Sequence, residues 1–368
     1  MQRTSYAALR MFVVVWGVID SRQLMVPDFL KMTIKTIAQL CSMLKVTVQE
    51  FQQLLAEPEY SCYTIPKKNG GFRTLESPQG LLLEVQGRLA EYMQPFYTVN
   101  KLTCVHGFVK AIQGQQKFGV LSNAKMHISK PFVMNMDIKN FFDSITTKQV
   151  KHALLRNLFF VSDEVATAIA LLCTHRKKLP TGAPTSPVLS NIVFYCLDDT
   201  LMQLVDEINA TKSEDEIAVT YTRYADDLTF SGNESLVLVM VERINSIISY
   251  NGFEINIKKT RGQRPYAAQW VTGVKVNEKL NVSRLYIRRL RAILHSMQNN
   301  NIVDAVRKYF NIPLTINVEI SNIQKMLSSV RSQIAWVGLV RGKSDEVYLK
   351  LKSTFALAER KILAVPED

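Results

Sequence analysis

The segment 221–231 decides the fold and reads YTRYADDLTFS, with the adjacent carboxylates Asp226 and Asp227 between runs of strand-forming residues. This pattern predicts a β-hairpin that carries the two acids at its tip. An exposed Asp-Asp turn is the ordinary explanation, because Asp favours turns. Two carboxylates held this close also repel each other, so a bound divalent cation is the alternative explanation.

A second acidic element favours the cation. Residues 132–143 read FVMNMDIKNFFD, an apolar strand-like run that ends at Asp137 and is followed by a helical pattern from about Thr146. A carboxylate at the end of a buried strand, together with Asp226 at a hairpin tip, is what two-metal phosphoryl transfer requires. Arg223 and Lys139 are interpreted as charges on a solvated face unless such a site is real.

Composition indicates a soluble globular protein with a polyanionic partner. Hydrophobic residues make up 47% of the 368 residues and charged residues 21%, and the net charge is +13. An excess of Lys and Arg suits nucleic acid, because these side chains neutralise phosphates. The five cysteines have no paired spacing, which favours a reducing cytoplasm over a disulfide framework or a zinc site. The apolar run 11–19 is too short to span a bilayer and predicts a packed N-terminal helix.

Periodicity predicts the remaining elements. Thr47, followed three residues later by Glu50, resembles a helix-capping box. A β-hairpin is expected over 63–75, with a basic turn at Lys67 and Lys68. Helices are expected over 1–57, 81–92, 159–173, 188–205, 236–250 and from 283 onward, and strands over 253–259 and 270–276. The small residues of 179–187 would let a flat partner such as a base pair approach the backbone.

The final quarter of the chain carries more than half of its excess positive charge. Residues 283–368 contain 14 Lys and Arg and 7 Asp and Glu, a net charge of +7. Arg284, Arg288 and Arg291 fall on one helix face, opposite Leu290 and other apolar residues. This concentration of charge favours a surface that binds a nucleic-acid backbone.

The order of these elements resembles that of reverse transcriptases over residues 60–365. The similarity is closer to the retron reverse transcriptases of bacteria, because 123–127 matches an Asn-Ala-x-x-His element and 271–273 a Val-Thr-Gly element. The resemblance implies an α+β right-hand polymerase with a helical N-terminal extension. The implied domains are an N-terminal helical region (1–57), fingers (58–130, with 145–187 contributing), palm (131–144 and 188–278) and a basic helical thumb (279–368).

The resemblance also implies roles for individual residues. Asp137, Asp226 and Asp227 would be catalytic and, with the Ile138 carbonyl, would hold two Mg²⁺ ions. Phe142 would be a steric gate against a 2′-hydroxyl, or else plain core. Further nucleotide-binding residues would be Lys67 or Lys68, Arg73, Thr181, Gly182, and Lys258 or Lys259. RNA-binding residues would be Asn123, His127, Val271, Thr272, Gly273, Arg284, Arg288 and Arg291.

One position departs from the wider family, in which many members carry Gln where this chain has Thr181. The shorter hydroxyl side chain leaves the template and nucleotide contacts at this point open, without affecting the metal chemistry.

The function implied is RNA-directed DNA synthesis on a cognate structured noncoding RNA, with dNTPs as substrates and a branched RNA–DNA molecule, multicopy single-stranded DNA, as product. Implied partners are an effector or toxin protein encoded nearby and host ribonuclease H, in a cytoplasmic role in anti-phage defence. Two alternatives stay open. One is another bacterial reverse transcriptase, of the group II intron or abortive-infection type, and the other is a catalytically idle RNA-binding scaffold.

Overall fold

A computed structural model describes residues 34–66, 70–111, 117–156 and 161–363. Helices and short strands are mixed along these residues, so the predicted α+β class is confirmed. The expectations for residues 1–33, including the packed N-terminal helix, lie outside the described residues. Lys67 and Lys68, which are predicted to form the turn of the first hairpin, lie outside them as well.

The described elements follow the predicted order. The helices are α1 (Ile37–Leu44), α2 (Val48–Ala56), α3 (Gly80–Asn100), α4 (Val120–Lys125), α5 (Thr147–Leu154), α6 (Asp163–Cys173), α7 (Ser186–Ala210), α8 (Glu234–Val239), α9 (Val241–Tyr250), α10 (Arg284–Asn299), α11 (Ile302–Phe310), α12 (Ile320–Arg341) and α13 (Glu346–Leu363). The strands are β1 (Tyr60–Pro66), β2 (Phe72–Pro78), β3 (Phe132–Asp137), β4 (Thr220–Tyr224), β5 (Asp227–Gly232), β6 (Arg261–Gln263), β7 (Trp270–Val271) and β8 (Val274–Lys275).

The chain divides into two compact units, one of residues 1–123 and 134–262 and one of 124–133 and 263–368. A four-stranded sheet has the order β4-β5-β3-β6, while β1 pairs with β2 and β7 with β8. The two acidic elements therefore lie on neighbouring strands, because β5 is hydrogen-bonded to β3. This adjacency brings the end of β3 close to the β4–β5 turn.

Helix starts follow the capping residues that the sequence contains. The Thr47 hydroxyl accepts from the Glu50 N–H at 3.1 Å, and the Glu50 carboxylate accepts from the Thr47 N–H at 2.7 Å, which confirms the predicted capping box. Thr146 and Gln149 form the same reciprocal pair at the start of α5. Such pairs satisfy two N–H groups that the first turn of a helix leaves unpaired.

Helix α7 is the long core helix of the first unit. By length and composition it could cross a membrane, yet 61% of its most apolar window is buried within the protein. Burial inside the fold therefore accounts for its apolar character. Helix α3 runs on to Asn100, beyond the predicted end and through Pro95, and Met93 and Tyr97 in this extension are buried.

Three predicted elements differ in the structure. The strand expected over 253–259 is a single bridge between Ile255 and Ile138 followed by a 3₁₀ turn at Ile257–Lys259. The strand expected over 270–276 is the short hairpin of β7 and β8, because Thr272 and Gly273 have φ of 47° and 80° and reverse the chain. The helix expected over 236–250 is divided at Met240 into α8 and α9.

The second unit contains the basic helices from Ser283 onward, as predicted. The Ser283 hydroxyl accepts from the Tyr286 N–H at 3.0 Å and begins α10. On α10 the arginines predicted to share a face, Arg284, Arg288 and Arg291, are all exposed, while the opposite apolar face is buried.

Candidate active site

The β4–β5 turn positions the acidic pair. Tyr224 pairs with Asp227, and between them Ala225 has a φ of 56°. The Ile138 N–H donates to the Asp226 carbonyl oxygen at 3.0 Å. This hydrogen bond fastens the hairpin tip to the residue that follows Asp137, so the two predicted principal aspartates are brought together.

The carboxylates share a partly buried environment. Burial, and then the charge of Asp137, raises the pKa of Asp226. Burial, and then the charges of Asp226 and Asp137, raises the pKa of Asp227 to about 6. Lys259 opposes both shifts, with help from Arg73 at Asp226 and from Arg261 at Asp227. The site therefore concentrates negative charge that a cation would stabilise.

Lys259 lies directly on Asp137. Its ammonium donates to both carboxylate oxygens, at 2.8 and 3.0 Å. The Asn256 N–H donates to the Asp137 carbonyl oxygen at 2.7 Å. The 3₁₀ turn, which replaces the predicted strand, thus directs Lys259 toward the acidic cluster and distinguishes it from Lys258.

The carboxylates of Asp137, Asp226 and Asp227 are ligands of the kind that a divalent cation binds. Mg²⁺ prefers oxygen ligands, and the three carboxylates oppose one another electrostatically. Across residues 34–66, 70–111, 117–156 and 161–363, no group of three His, Cys, Asp or Glu side chains forms a ready-made metal cage. In this structure the ammonium group of Lys259 is the cation that contacts the Asp137 carboxylate.

A buried ion pair supports the hairpin from beneath. Arg223 and Asp198 are both 0% exposed, and the guanidinium donates to the carboxylate through Nε at 2.8 Å and Nη2 at 2.6 Å. The Tyr221 hydroxyl donates to the same carboxylate at 2.8 Å. The interpretation of Arg223 as a solvated charge is therefore wrong. Lys139, by contrast, forms a half-exposed ion pair with Glu254.

The same guanidinium holds the turn itself. Its Nη1 group donates to the Ala225 carbonyl oxygen at 3.2 Å and to the Asn191 side-chain oxygen at 3.0 Å. Asn191 in turn donates to the Gly107 carbonyl oxygen at 3.0 Å. A Cβ atom on Gly107 would lie 2.5 Å from the Ala225 nitrogen, so this position accepts only glycine without displacing the turn.

The buried network of Arg223, Asp198 and Asn191 beneath the hairpin was not predicted from the sequence. One signal was present, because strand alternation puts Arg223 on the same face as Tyr221, and that face is buried. A second signal is Asp198, a charged residue that lies four positions after Phe194 and three before Leu201, on the apolar face of α7. Gly107 carried no local signal, because the need for glycine arises from a neighbour that is distant in sequence.

The predicted nucleotide-binding residues are placed as follows. Arg73 is exposed on β2, and Phe142 is half-buried, with ring centroids 5.9 Å from Phe108 and 5.2 Å from Phe141. Gly182 donates its N–H to the Glu76 carbonyl oxygen at 3.0 Å, and a Cβ there would lie 2.9 Å from that oxygen. The missing side chain of Gly182 therefore serves close packing on β2, and Thr181 beside it is half-buried.

Several predicted RNA-binding side chains are buried. The side chains of Asn123, His127 and Val271 are 0% exposed and pack inside the fold, so their predicted part in RNA recognition stays a prediction. Thr272 and Gly273 form the β7–β8 turn, which explains the Val-Thr-Gly element as a chain reversal. Of this set, the three arginines of α10 offer exposed side chains to a ligand.

Comparison with known proteins identifies relatives of the chain. Residues 65–276 match the family described as reverse transcriptase (RNA-dependent DNA polymerase). The retron Mx65 reverse transcriptase of Myxococcus xanthus is 34% identical over 68% of this chain and 59% of its own length. The retron Ec83 reverse transcriptase of Escherichia coli is 30% identical over 73% of this chain and 85% of its own length.

The coverage of these relatives is unequal. The match spans 59% of the Mx65 enzyme and 52% of the retron Mx162 reverse transcriptase of Myxococcus xanthus. Among solved structures, telomerase from Candida albicans aligns with a TM-score of 0.47 and 10% identity, over 86% of this chain and 65% of that one.

Proposed function

We propose that this chain, which belongs to the retron reverse transcriptases, is an RNA-directed DNA polymerase. Membership of the family confirms the predicted right-hand polymerase architecture. The observation that carries the activity is the Asp137–Asp226–Asp227 cluster, held together by the hydrogen bond from the Ile138 N–H to Asp226. We assign residues 58–130 with 145–187 to the fingers, 131–144 with 188–278 to the palm and 279–368 to the thumb.

The chemical step is in-line attack of a primer hydroxyl on the α-phosphate of a dNTP. The hydroxyl gives up its proton to water, the new bond from its oxygen to the α-phosphorus forms as the bond from that phosphorus to the β-phosphate oxygen breaks, and pyrophosphate leaves. Asp137, Asp226, Asp227 and the Ile138 carbonyl would hold two magnesium ions, which activate the attacking oxygen and stabilise the leaving group. Lys259 would move from Asp137 toward the pyrophosphate and offset its charge.

The nucleotide would be positioned by residues of the first unit. Arg73 lies close enough to lower the pKa of Asp226, so its charge reaches the reaction centre. It would hold the triphosphate together with Lys67 or Lys68. The half-buried ring of Phe142 would exclude a ribose 2′-hydroxyl, and Thr181 with Gly182 would face the nascent base pair.

The template would be a cognate structured noncoding RNA. In the retron context, synthesis would begin at the 2′-hydroxyl of an internal guanosine and produce branched multicopy single-stranded DNA. Host ribonuclease H would remove the copied template in the cytoplasm. A protein encoded nearby would act as effector or toxin in defence against phage. The exposed arginines of α10 supply positive charge for the nucleic-acid backbone.

A catalytically idle scaffold is the second candidate function. It would keep the fold in order to hold RNA and a partner, with the ion pair of Lys259 and Asp137 as a permanent structural contact. Against it stand the raised pKa values of Asp226 and Asp227, since carboxylates that oppose one another are costly to keep without a cation.

The test is the nucleic acid that copurifies from cells carrying the chain and its flanking noncoding region. We expect a discrete short DNA whose mobility changes on treatment with debranching enzyme. It should be absent from the Asp226→Asn and Asp227→Asn double variant. The matched control is Glu214→Gln with Asp215→Asn, an exposed acidic pair in the same unit, which should leave the DNA unchanged.

Each other outcome selects a different function. RNA without DNA in the wild-type sample would favour the scaffold. Unbranched or heterogeneous DNA would indicate another class of reverse transcriptase, such as the intron-encoded or abortive-infection type.

A further inference from the structure

The turn 175–178 has an unusual composition for its geometry. The N–H of His175 donates to the Lys178 carbonyl oxygen at 2.9 Å, and the N–H of Lys178 donates to the His175 carbonyl oxygen at 3.0 Å. The two residues between them, Arg176 and Lys177, have φ of 50° and 66°. Two-residue turns with positive φ at both positions favour Asn-Gly, because a Cβ atom strains this conformation. Here two long basic side chains occupy it.

The base of this turn is held firmly. The His175 ring stacks on Tyr60 with centroids 4.2 Å apart, and its Nδ1 atom lies 2.9 Å from a carboxylate oxygen of Glu76. Arg176 lies 3.8 Å from the other oxygen of Glu76, with 73% of its side chain exposed. Lys177 and Lys178 are exposed as well. The contacts at the base hold the backbone of the turn, so the three basic side chains leave the protein surface from neighbouring, fixed positions.

Helix α5 extends the charged area. The Thr147 N–H donates to the Lys177 carbonyl oxygen at 3.2 Å, so the turn lies against the first turn of this helix. Lys148, His152 and Arg156 follow at intervals of four residues and are exposed. The three side chains line one side of a cavity of about 150 Å³.

Few acidic residues compensate these charges. The sequence contains no Asp or Glu from 144 to 162 or from 165 to 197. Glu76 is engaged by His175 and Arg176, and Asp163 forms an ion pair with Lys151 at 2.8 Å. Asp143 and Glu164, which flank these stretches, are exposed. The area is therefore a dense positive surface, and such surfaces bind phosphate backbones through release of counterions. Strained backbone that persists also tends to serve binding or catalysis.

We propose that this basic surface, formed by Lys148, His152, Arg156, Arg176, Lys177 and Lys178, binds the phosphate backbone of double-helical RNA. The inference rests on the proposed function and deepens it, because it assigns a second anchoring surface for the structured RNA on the first unit. The contact is electrostatic, so it recognises the charged backbone and leaves the choice of RNA sequence to other parts of the protein.

The test compares two glycine substitutions in the full chain. Lys177→Gly removes one positive charge from the surface and relieves a positive φ. Lys45→Gly is the matched control, because Lys45 is also exposed and has a φ of 55° at the end of α1. Glycine accepts this conformation freely, so the melting temperature of both variants should equal or exceed that of wild type.

Binding of a fluorescein-labelled, 12-base-pair RNA hairpin is measured as a function of NaCl concentration. We expect the slope of log K against log[salt] to become less negative by about 0.9 for Lys177→Gly and about 1.8 for Arg176→Asn with Lys177→Gly. The Lys45 variant should keep the wild-type slope. An unchanged slope in the Lys177 variants, equal changes in the Lys45 variant, or no binding by wild type would each overturn the proposal.

Two further experiments distinguish RNA from an acidic protein as the partner, and test the polymerase activity separately. A poly-glutamate peptide that competes with the hairpin at equal charge concentration would identify an acidic protein as the partner and overturn the RNA assignment. Magnesium-dependent incorporation of dTTP on poly(rA)/oligo(dT) by the wild-type protein tests the polymerase separately. If incorporation succeeds and the hairpin experiment fails, only the proposal that this surface binds RNA is rejected. If incorporation fails, the proposed polymerase function is rejected.

Discussion

The guanidinium of Arg223 and the carboxylate of Asp198 form a fully buried ion pair, with Nη2 and Oδ2 2.6 Å apart. The pair lies directly under the turn that presents Asp226, and Arg223 also donates to the Ala225 carbonyl oxygen within that turn. These buried hydrogen bonds orient the hairpin. Any rearrangement that broke one of them would leave a buried polar group without a partner, which is costly. The acidic cluster thus depends on residues that touch neither substrate nor cation.

Loss of one member of this pair should be costly. Asp198→Asn leaves the Arg223 charge buried and is expected to lower the free energy of unfolding by about 3 to 5 kcal/mol. Urea denaturation measures the change. The control is Glu207→Gln, which breaks the exposed ion pair with Arg243 and should cost less than about 1 kcal/mol. Similar losses in the two variants would contradict a supporting role for the buried pair.

Gly107 should be required for the geometry of the turn. Gly107→Ala places a Cβ atom 2.5 Å from the Ala225 nitrogen and must displace the backbone next to Asp226. We expect the single-turnover incorporation rate to fall by about 100-fold, as a misplacement of about 1 Å does in an active site.

The control for this change is Gly87→Ala in α3, where an added Cβ has no heavy atom within 4 Å. That variant should keep wild-type activity and gain about 1 kcal/mol of stability, because alanine favours a helix interior. Full activity in Gly107→Ala would show that the turn tolerates displacement.

Lys259 should matter more than its neighbour Lys258. Lys259→Ala removes the ammonium group that contacts both oxygens of Asp137. We expect incorporation to slow by about 100-fold, as for loss of a positioned acid or charge. Lys258→Ala should have a much smaller effect. Single-turnover rates for the two variants decide the question, and equal rates would reject the assignment.

Phe142 should control the choice of sugar. Phe142→Ala opens space beside the nucleotide, and the preference for dNTPs over rNTPs is expected to fall by about 100-fold. Phe142→Tyr keeps the ring and should keep the preference. The ratio of kcat/KM for dTTP and UTP measures the change. An unaltered ratio in the alanine variant would leave Phe142 as a core residue that packs on Phe141 and Phe108.

His106 should make stability depend on pH. Burial, and then the charge of Lys101, lowers the pKa of His106 to about 4, from 6.5 for an ordinary histidine. The unfolded chain therefore binds the proton more readily, and stability is lost as the pH falls from about 6.5 through about 4, by about 3 kcal/mol.

The measurement is the free energy of unfolding at several pH values for wild type and His106→Gln. The difference between the two curves should shrink toward acidic pH, because only the wild type has this proton to bind. His295→Gln serves as the control, since His295 is exposed. Parallel curves for wild type and His106→Gln would reject the coupling.

Local patterns were sufficient for much of this protein. Alternation predicted the β4–β5 hairpin, the Thr47–Glu50 capping box predicted the start of α2, and the helical pattern from about Thr146 predicted the start of α5, because these features depend on neighbours within a few residues. The strand predicted over 253–259 was wrong, since hydrogen bonds from Asn256 and Lys259 to Asp137 hold this segment in a bridge and a 3₁₀ turn. The complete burial of Asn123 and His127 was not predictable from local pattern, because burial depends on the whole fold.

The sequence by itself determined the acidic strand end, the acidic hairpin tip and the basic final helices, because these are set by residue type and short-range periodicity. Only the tertiary structure decided that Arg223 is buried on Asp198, that Gly107 lies against Ala225 and that Lys259 lies on Asp137. Each of these contacts joins residues far apart along the chain. Local propensity does not predict such contacts, because they form only when the fold brings distant segments of the chain together.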